Sequence, residues 1–226
     1  MQDLLSQFQL RVNERIFLKD PDSSDLGRNI VRKSVELIHE MGLEGFTFKK
    51  LAQGLGTTES AVYRYFENKH KLLIYLLSWY WGWLEYKLVF STVNINSAEE
   101  KIHITLSTLA NPVGELDRVD FADLHKLLAI AVAEAPKVYL THEVDRENRQ
   151  GLFMAYMRLV RRISTIILEL NPKYRYPDSL ASLVLESVYQ QQFFAAHFPN
   201  LSNFDGDPGR LQQFFCSMII NTVKNG

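Results

Sequence analysis

Cysteine is almost missing from this 226-residue chain, in which Cys216 stands alone. Its scarcity excludes an intrachain disulfide and a cysteine-rich zinc site, and a reducing cytoplasm is the expected setting. The six histidines (His39, His70, His103, His125, His142 and His197) lack pattern as well. No two fall three or four residues apart on one helix, so paired metal-ligand spacing is absent, and His142-Glu143 is not followed by the second histidine of a zinc-protease motif. With no nucleophile motif either, no catalytic residue, metal or cofactor is expected, and the chain does not read as an enzyme. Long apolar runs are wanting too. The longest uncharged run of the aromatic region, residues 72–84, is shorter than the roughly 20 residues a membrane-spanning helix needs. The first 18 residues are interrupted by Asp3, Arg11, Glu14 and Arg15, which is not a signal peptide, and no membrane partner is expected. Gly54-x-Gly56 has no preceding strand, and Glu59 stands where a third glycine would be, so a nucleotide loop is excluded.

What is present is ordinary for a globular protein: 46% hydrophobic and 23% charged residues, enough for one small head and a larger helical body. Residues 47–69 carry the densest information. Leu51, Ala52 and Leu55 make one apolar face, Gly56 supplies a turn, and Val62 and Phe66 resume an apolar face beyond it. Thr47 and Thr58 stand at the two helix starts, where hydroxyl caps belong. The second helix exposes Glu59, Ser60, Tyr63 and Arg64, a polar face of a size that fits a major groove. Tyr63 and Tyr65 are two apart and cannot both point inward, so at least one is exposed. Between residues 28 and 73, eight lysines and arginines stand against five glutamates. This segment is therefore net +3 while the whole chain is −1. Positive charge is concentrated where phosphate contacts would need it.

Residues 26–73 resemble the DNA-binding domain of the TetR family of transcriptional regulators. The resemblance runs through a first helix ending at Met41-Gly42, then Gly45-Phe46-Thr47, Leu51-Ala52, Gly56, Ala61-Val62-Tyr63, Tyr65-Phe66, Lys69 and Leu72-Leu73. It implies that Thr47, Tyr63, Tyr65 and Lys69 bind phosphates, and that Thr58, Glu59, Ser60 and Arg64 face base edges. Ser60 replaces a glycine common in relatives. Glu59 brings a carboxylate that either accepts from cytosine N4 or points aside.

The expected fold is all-α: an N-terminal extension (1–24), a three-helix helix-turn-helix domain (25–73) and a helical effector-binding and dimerisation domain (74–226). In the extension, Phe8, Leu10, Val12, Ile16 and Leu18 alternate with polar residues around Asn13-Glu14, a weak hairpin signal. An alternative is an accessory arm placing Arg11, Arg15 and Lys19 on DNA. Body helices are expected over 68–93, from the Ser97/Glu100 capping box to near Asn111-Pro112, and over 121–135, 145–170, 179–198 and 208–223, separated by prolines. With the head these make about nine helices.

Trp79, Trp83, Tyr86 and Phe90 fall four, three and four apart, on one face of the helix leaving the head. They are either plain core or, as the resemblance implies, a cavity wall for a small apolar or aromatic effector, with His103, His125 and Tyr156 as polar candidates. Tyr189, Phe193, Phe194, Leu211, Phe214, Phe215 and Met218 supply more apolar surface than two peripheral helices need, and the resemblance makes them a homodimer interface. The function implied is a dimeric repressor of a pseudo-palindromic double-stranded DNA operator, released by effector. A helical adaptor that keeps such a head without an operator is the alternative.

Overall fold

The computed structural model describes residues 12–114, 117, 119 and 122–226. Among them the secondary structure is helical, with one isolated bridge between Val119 and Ala122 and no strand. The helices are α1 (Asp25–Gly45), α2 (Phe48–Gly54), α3 (Glu59–Tyr63), α4 (Lys69–Thr92), α5 (Ala98–Ala110), α6 (Leu124–Glu134), α7 (Pro136–Tyr139), α8 (Val144–Arg149), α9 (Met154–Leu170), α10 (Pro177–His197) and α11 (Pro208–Asn225). Short 3-10 turns occupy Glu14–Ile16, Pro21–Ser23 and Pro199–Leu201.

The chain forms two compact units, one of Met1–Trp81 with Val113–Ala155, the other of Gly82–Pro112 with Tyr156–Gly226. A division at residue 73 was expected; in the structure residues 113–155 cluster with the head instead.

In the first unit, α1 lies on α6. Ile30, Val31, Val35 and Ile38 of α1 are buried, as are Leu124, Leu127, Ile130 and Ala131 of α6, the spacing of two helices sharing a core. Gly42, at φ 69 and ψ 166, breaks α1 where Met41-Gly42 was expected to end it. All of Leu72 to Leu77 on α4 is buried. The hairpin expected in the extension is not formed among the described residues. Asn13 caps the Glu14–Ile16 turn by accepting the Arg15 N–H, Ile16 is buried and Leu18 is exposed, so the alternation does not extend into a strand. Phe8, Leu10 and Arg11 lie outside the described residues. The segment is tied down by Asn13 Nδ2, which donates to the Gln150 and Gly151 carbonyls (3.0 and 2.9 Å), and by the Leu18 N–H on the Tyr65 carbonyl (2.7 Å).

In the second unit α11 packs along α5 and α10. Leu211, Phe215, Ile219 and Val223 recur every three to four residues and are buried, as are Leu180, Val184, Leu185 and Val188 of α10. The C-terminal carbonyls of α5, which have no partner within the helix, are satisfied by Gln192 Nε2 on Leu109 and Ala110 (3.4 and 2.9 Å). Ser97 caps the start of α5 by accepting the Glu100 N–H at 3.3 Å. The helix expected over 145–170 is two helices, because the chain turns at Gly151 (φ 76). With the short α7 opened by Pro136, this accounts for eleven α-helices among the described residues rather than nine.

Candidate nucleic-acid interface

The two-helix element is built from the inside outward. Phe48, Leu51 and Ala52 of α2 and Ala61 and Val62 of α3 are buried, and Tyr65 and Phe66 close the same core. Side chains on the opposite face of α3 are thereby turned out: Glu59, Ser60, Tyr63 and Arg64 are all exposed. Thr47 Oγ1 accepts the Lys50 N–H (3.2 Å) and Thr58 Oγ1 the Ala61 N–H (3.3 Å), so both helices start on the expected caps. Such caps contribute about 1 kcal/mol each. Gly56, at φ 63, makes the turn between them.

Tyr63 is held by an edge-to-face contact with Phe48 (4.9 Å between ring centres, 68°) while 48% of it stays accessible. That presents a preoriented phenol at small entropic cost. The Thr58 and Ser60 hydroxyls lie 2.9 Å apart, so two of the expected base-facing groups hold each other. Thr47 is exposed. Tyr65 and Lys69 are placed differently. Tyr65 is 3% exposed, its hydroxyl 2.7 Å from Ser24 Oγ and its ring beneath Lys19 Nζ (5.1 Å). Lys69 is half-buried and donates to the Leu43 carbonyl at 2.9 Å. The charge count of the segment is also reduced. Lys71 is buried against Glu147, and Lys33 pairs with Glu36 (2.7 Å), leaving Lys49, Lys50 and Arg64 as exposed cations of the two-helix element.

The other expected sites are distributed as follows. Trp79 is buried in the first unit, where His125 is exposed at the start of α6. In the second unit Trp83 is buried under Lys87 Nζ (5.4 Å), and Tyr86 stacks on the exposed Phe90. Tyr156 donates to Glu186 Oε1 at 2.5 Å. His103 is exposed and lines a groove of about 390 Å³ with Gln212, Gln213, Cys216, Ser217 and Asn221 of α11. Tyr189, Leu211 and Phe215 are buried within their own unit; Phe193, Phe194 and Met218 are half-buried, and Phe214 is 50% exposed. The apolar surface left on the last two helices and their connection is carried by Leu183, Phe198, Leu201 and Phe214.

Sequence reasoning passed over Glu134 and Glu147, both buried. Glu134 did carry a signal: it continues the apolar stripe Leu127–Ala131 at helical spacing, where a carboxylate needs a partner. Glu147 carried none, because its partners lie 76 and 77 residues away in the chain.

Two short helices with a glycine turn, a sealed inner face and a polar outer face define a helix-turn-helix domain of the DNA-reading class. Residues 30–76 match the family described as bacterial regulatory proteins, tetR family. That match is confined to the head of the chain. Over 44 residues it is 41% identical to the class C tetracycline repressor of Escherichia coli, a match spanning 20% of each chain, so about a fifth of that relative is covered. Across the body the likeness is one of fold. The transcriptional regulator FadR from Bacillus subtilis, solved with stearoyl-CoA, superposes with a TM-score of 0.63 at 16% identity, covering 86% of this chain and 97% of that one. AibR, solved with isovaleryl coenzyme A and operator DNA, gives a TM-score of 0.57 at 16% identity, covering 84% and 97%. No helix among the described residues is long and apolar enough to cross a membrane.

Proposed function

We propose that this chain is a DNA-binding transcriptional regulator that acts as a homodimeric repressor of a pseudo-palindromic operator and is released by a small-molecule effector. The observation that carries the reading is the exposed polar face of α3 (Glu59, Ser60, Tyr63 and Arg64) over a fully buried Ala61-Val62 base, in a segment matching the tetR family. On this reading Thr58, Glu59, Ser60 and Arg64 meet base edges and Thr47 and Tyr63 meet phosphates. Tyr65 and Lys69, engaged inside the protein, act on DNA only by bracing α3 or by exchanging their present partners.

One five-residue helix reads few base pairs, so specificity calls for two heads on a two-fold axis. Leu183, Phe198, Leu201 and Phe214, together with Phe193, Phe194 and Met218, are the surface we assign to the second copy. Trp79, Trp83, Tyr86, His103, His125 and Tyr156 remain our candidates for contact with an apolar or aromatic effector. FadR and AibR were solved with acyl-CoA esters, which supports an effector with an apolar portion. Release then requires differential affinity of the effector for two states of the protein. A coupling of roughly 1–3 kcal/mol weakens DNA binding about 5- to 150-fold.

The test is to select duplexes from a random-sequence pool with the full-length chain and to sequence those retained. A two-fold symmetric consensus with half-sites about one helical turn apart is expected. Recovery of no sequence preference, together with pull-down of a protein partner, would instead support an adaptor.

A further inference from the structure

Two buried carboxylates of the first unit close on the boundaries of the reading element. Glu134, at the end of α6, accepts the Leu43 N–H at Oε1 (3.1 Å), and Lys137 Nζ lies 2.7 Å from its Oε2. Glu147 on α8, 1% exposed, receives Lys71 Nζ at Oε1 (2.9 Å), and His70 Nε2 lies 3.0 Å from its Oε2. Lys69 Nζ reaches the Leu43 carbonyl, so both backbone groups of Leu43 are tied. Leu43 precedes the helix-turn-helix and residues 69–71 follow it. One connected set of bonds therefore joins the entry of the reading element, its exit, and the segment 124–149. Burial by itself would raise the Glu147 carboxyl, but the His70 and Lys71 bonds outweigh it and hold that carboxyl below the usual range, so the charged form is the native one. A buried ion left without its partner is strongly destabilising, so these bonds hold only while the three pieces stay docked.

We propose that Glu147, through Lys71, is a positioning residue for DNA recognition, seconded by Glu134 through Leu43: together they fix how the helix-turn-helix is held against segment 124–149, so that a shift of that segment changes operator affinity while every DNA-contacting side chain is intact. The inference rests on the regulator reading. It assigns a route by which affinity is set to residues outside the exposed face of α3.

The test uses the full-length chain and a duplex selected from a random pool by the wild-type protein, with binding followed by fluorescence anisotropy over a range of salt. Glu147→Gln should weaken binding on the order of 5- to 150-fold. The salt slope should stay that of wild type, because no phosphate contact is removed. Lys71→Met should weaken binding comparably, and the double variant should be no weaker than the worse single one, the mark of residues acting as a unit. His70→Gln changes only the more exposed partner and carries the test if Glu147→Gln does not fold; it should weaken binding to a smaller degree, again at constant slope. Wild-type affinity in folded Glu147→Gln, or in His70→Gln where that variant carries the test, would overturn the inference. A reduced salt slope in Lys71→Met would also do so, by making Lys71 a direct phosphate contact. Either result leaves the regulator reading standing. A wild-type chain that selects no duplex overturns the regulator reading itself and this inference with it.

Discussion

Replacing Gly42 by alanine separates backbone geometry from packing. Gly42 sits at φ 69 and ψ 166, the break that ends the main run of α1 just before the reading element. That region of backbone space is essentially reserved for glycine, and a side chain held there costs roughly 1–3 kcal/mol. Alanine also restricts the unfolded chain, which offsets about 0.4–1 kcal/mol of the cost. At the middle of these two ranges a net loss of about 1.3 kcal/mol is left. Crowding adds little, since the nearest atom to the new Cβ would be Glu134 Oε1 at an ordinary 3.4 Å. Gly56 is the control. It has φ 63 and a Cβ there would meet nothing within 4 Å, so Gly56→Ala carries only the left-handed penalty of about 1–2 kcal/mol before the same offset. Gly56→Asn should recover most of the loss, because asparagine tolerates that conformation. The assay is urea unfolding at one fixed protein concentration, since the proposed dimerisation would make the midpoint concentration-dependent. A Gly42→Ala midpoint equal to wild type, or a larger loss in Gly56→Ala, would refute the reasoning.

Thr58→Ala should destabilise the head by about 1 kcal/mol through loss of the α3 cap, seen as faster amide exchange at Ala61; unchanged exchange would count against the cap. Acid should weaken the first unit through Glu147. Its carboxyl is lowered in the folded chain, so its contribution is complete above the ordinary value of 4.5 and is lost as pH falls below it. Glu147→Gln should flatten that part of the stability profile, and a profile identical to wild type would contradict the pairing. Burial pushes the Cys216 thiol up to about 11 from 9.0. Between those values the folded chain keeps a proton the unfolded chain has lost, so this group's contribution to stability falls as pH rises from 9 towards 11. At pH 8 iodoacetamide should alkylate the native thiol far more slowly than the urea-unfolded one, and equal rates would show that the thiol is not buried.

The helix-turn-helix was legible because its signals are local. Thr47, Thr58 and Gly56 are cap and turn residues, and Ala61-Val62 with Phe66 mark the inner face within a few residues of the groups they support. Readings that depended on distant partners were not legible. The chain's charge suggested Lys71 as part of a basic field, yet Glu147, 76 residues on, takes it into a buried pair. Alternation alone suggested strands around Asn13, but its side chain instead caps a 3-10 turn and holds the Gln150 and Gly151 carbonyls. Tyr65, expected at phosphate, is drawn inward by Ser24. Apolar surplus on the last helices was overcounted for the same reason: Leu211 and Phe215 are consumed by the α5 and α10 packing of their own unit.

Whether α3 carries its exposed face onto duplex DNA is read from the affinity and salt slope of Arg64→Ala beside wild type on a duplex the wild type selects. Wild-type affinity should fall steeply as salt rises, and Arg64→Ala should lose about 1–3 kcal/mol of binding with relaxed preference at one base position in each half-site. Equal affinity and equal sequence preference in the two proteins would contradict that placement of α3.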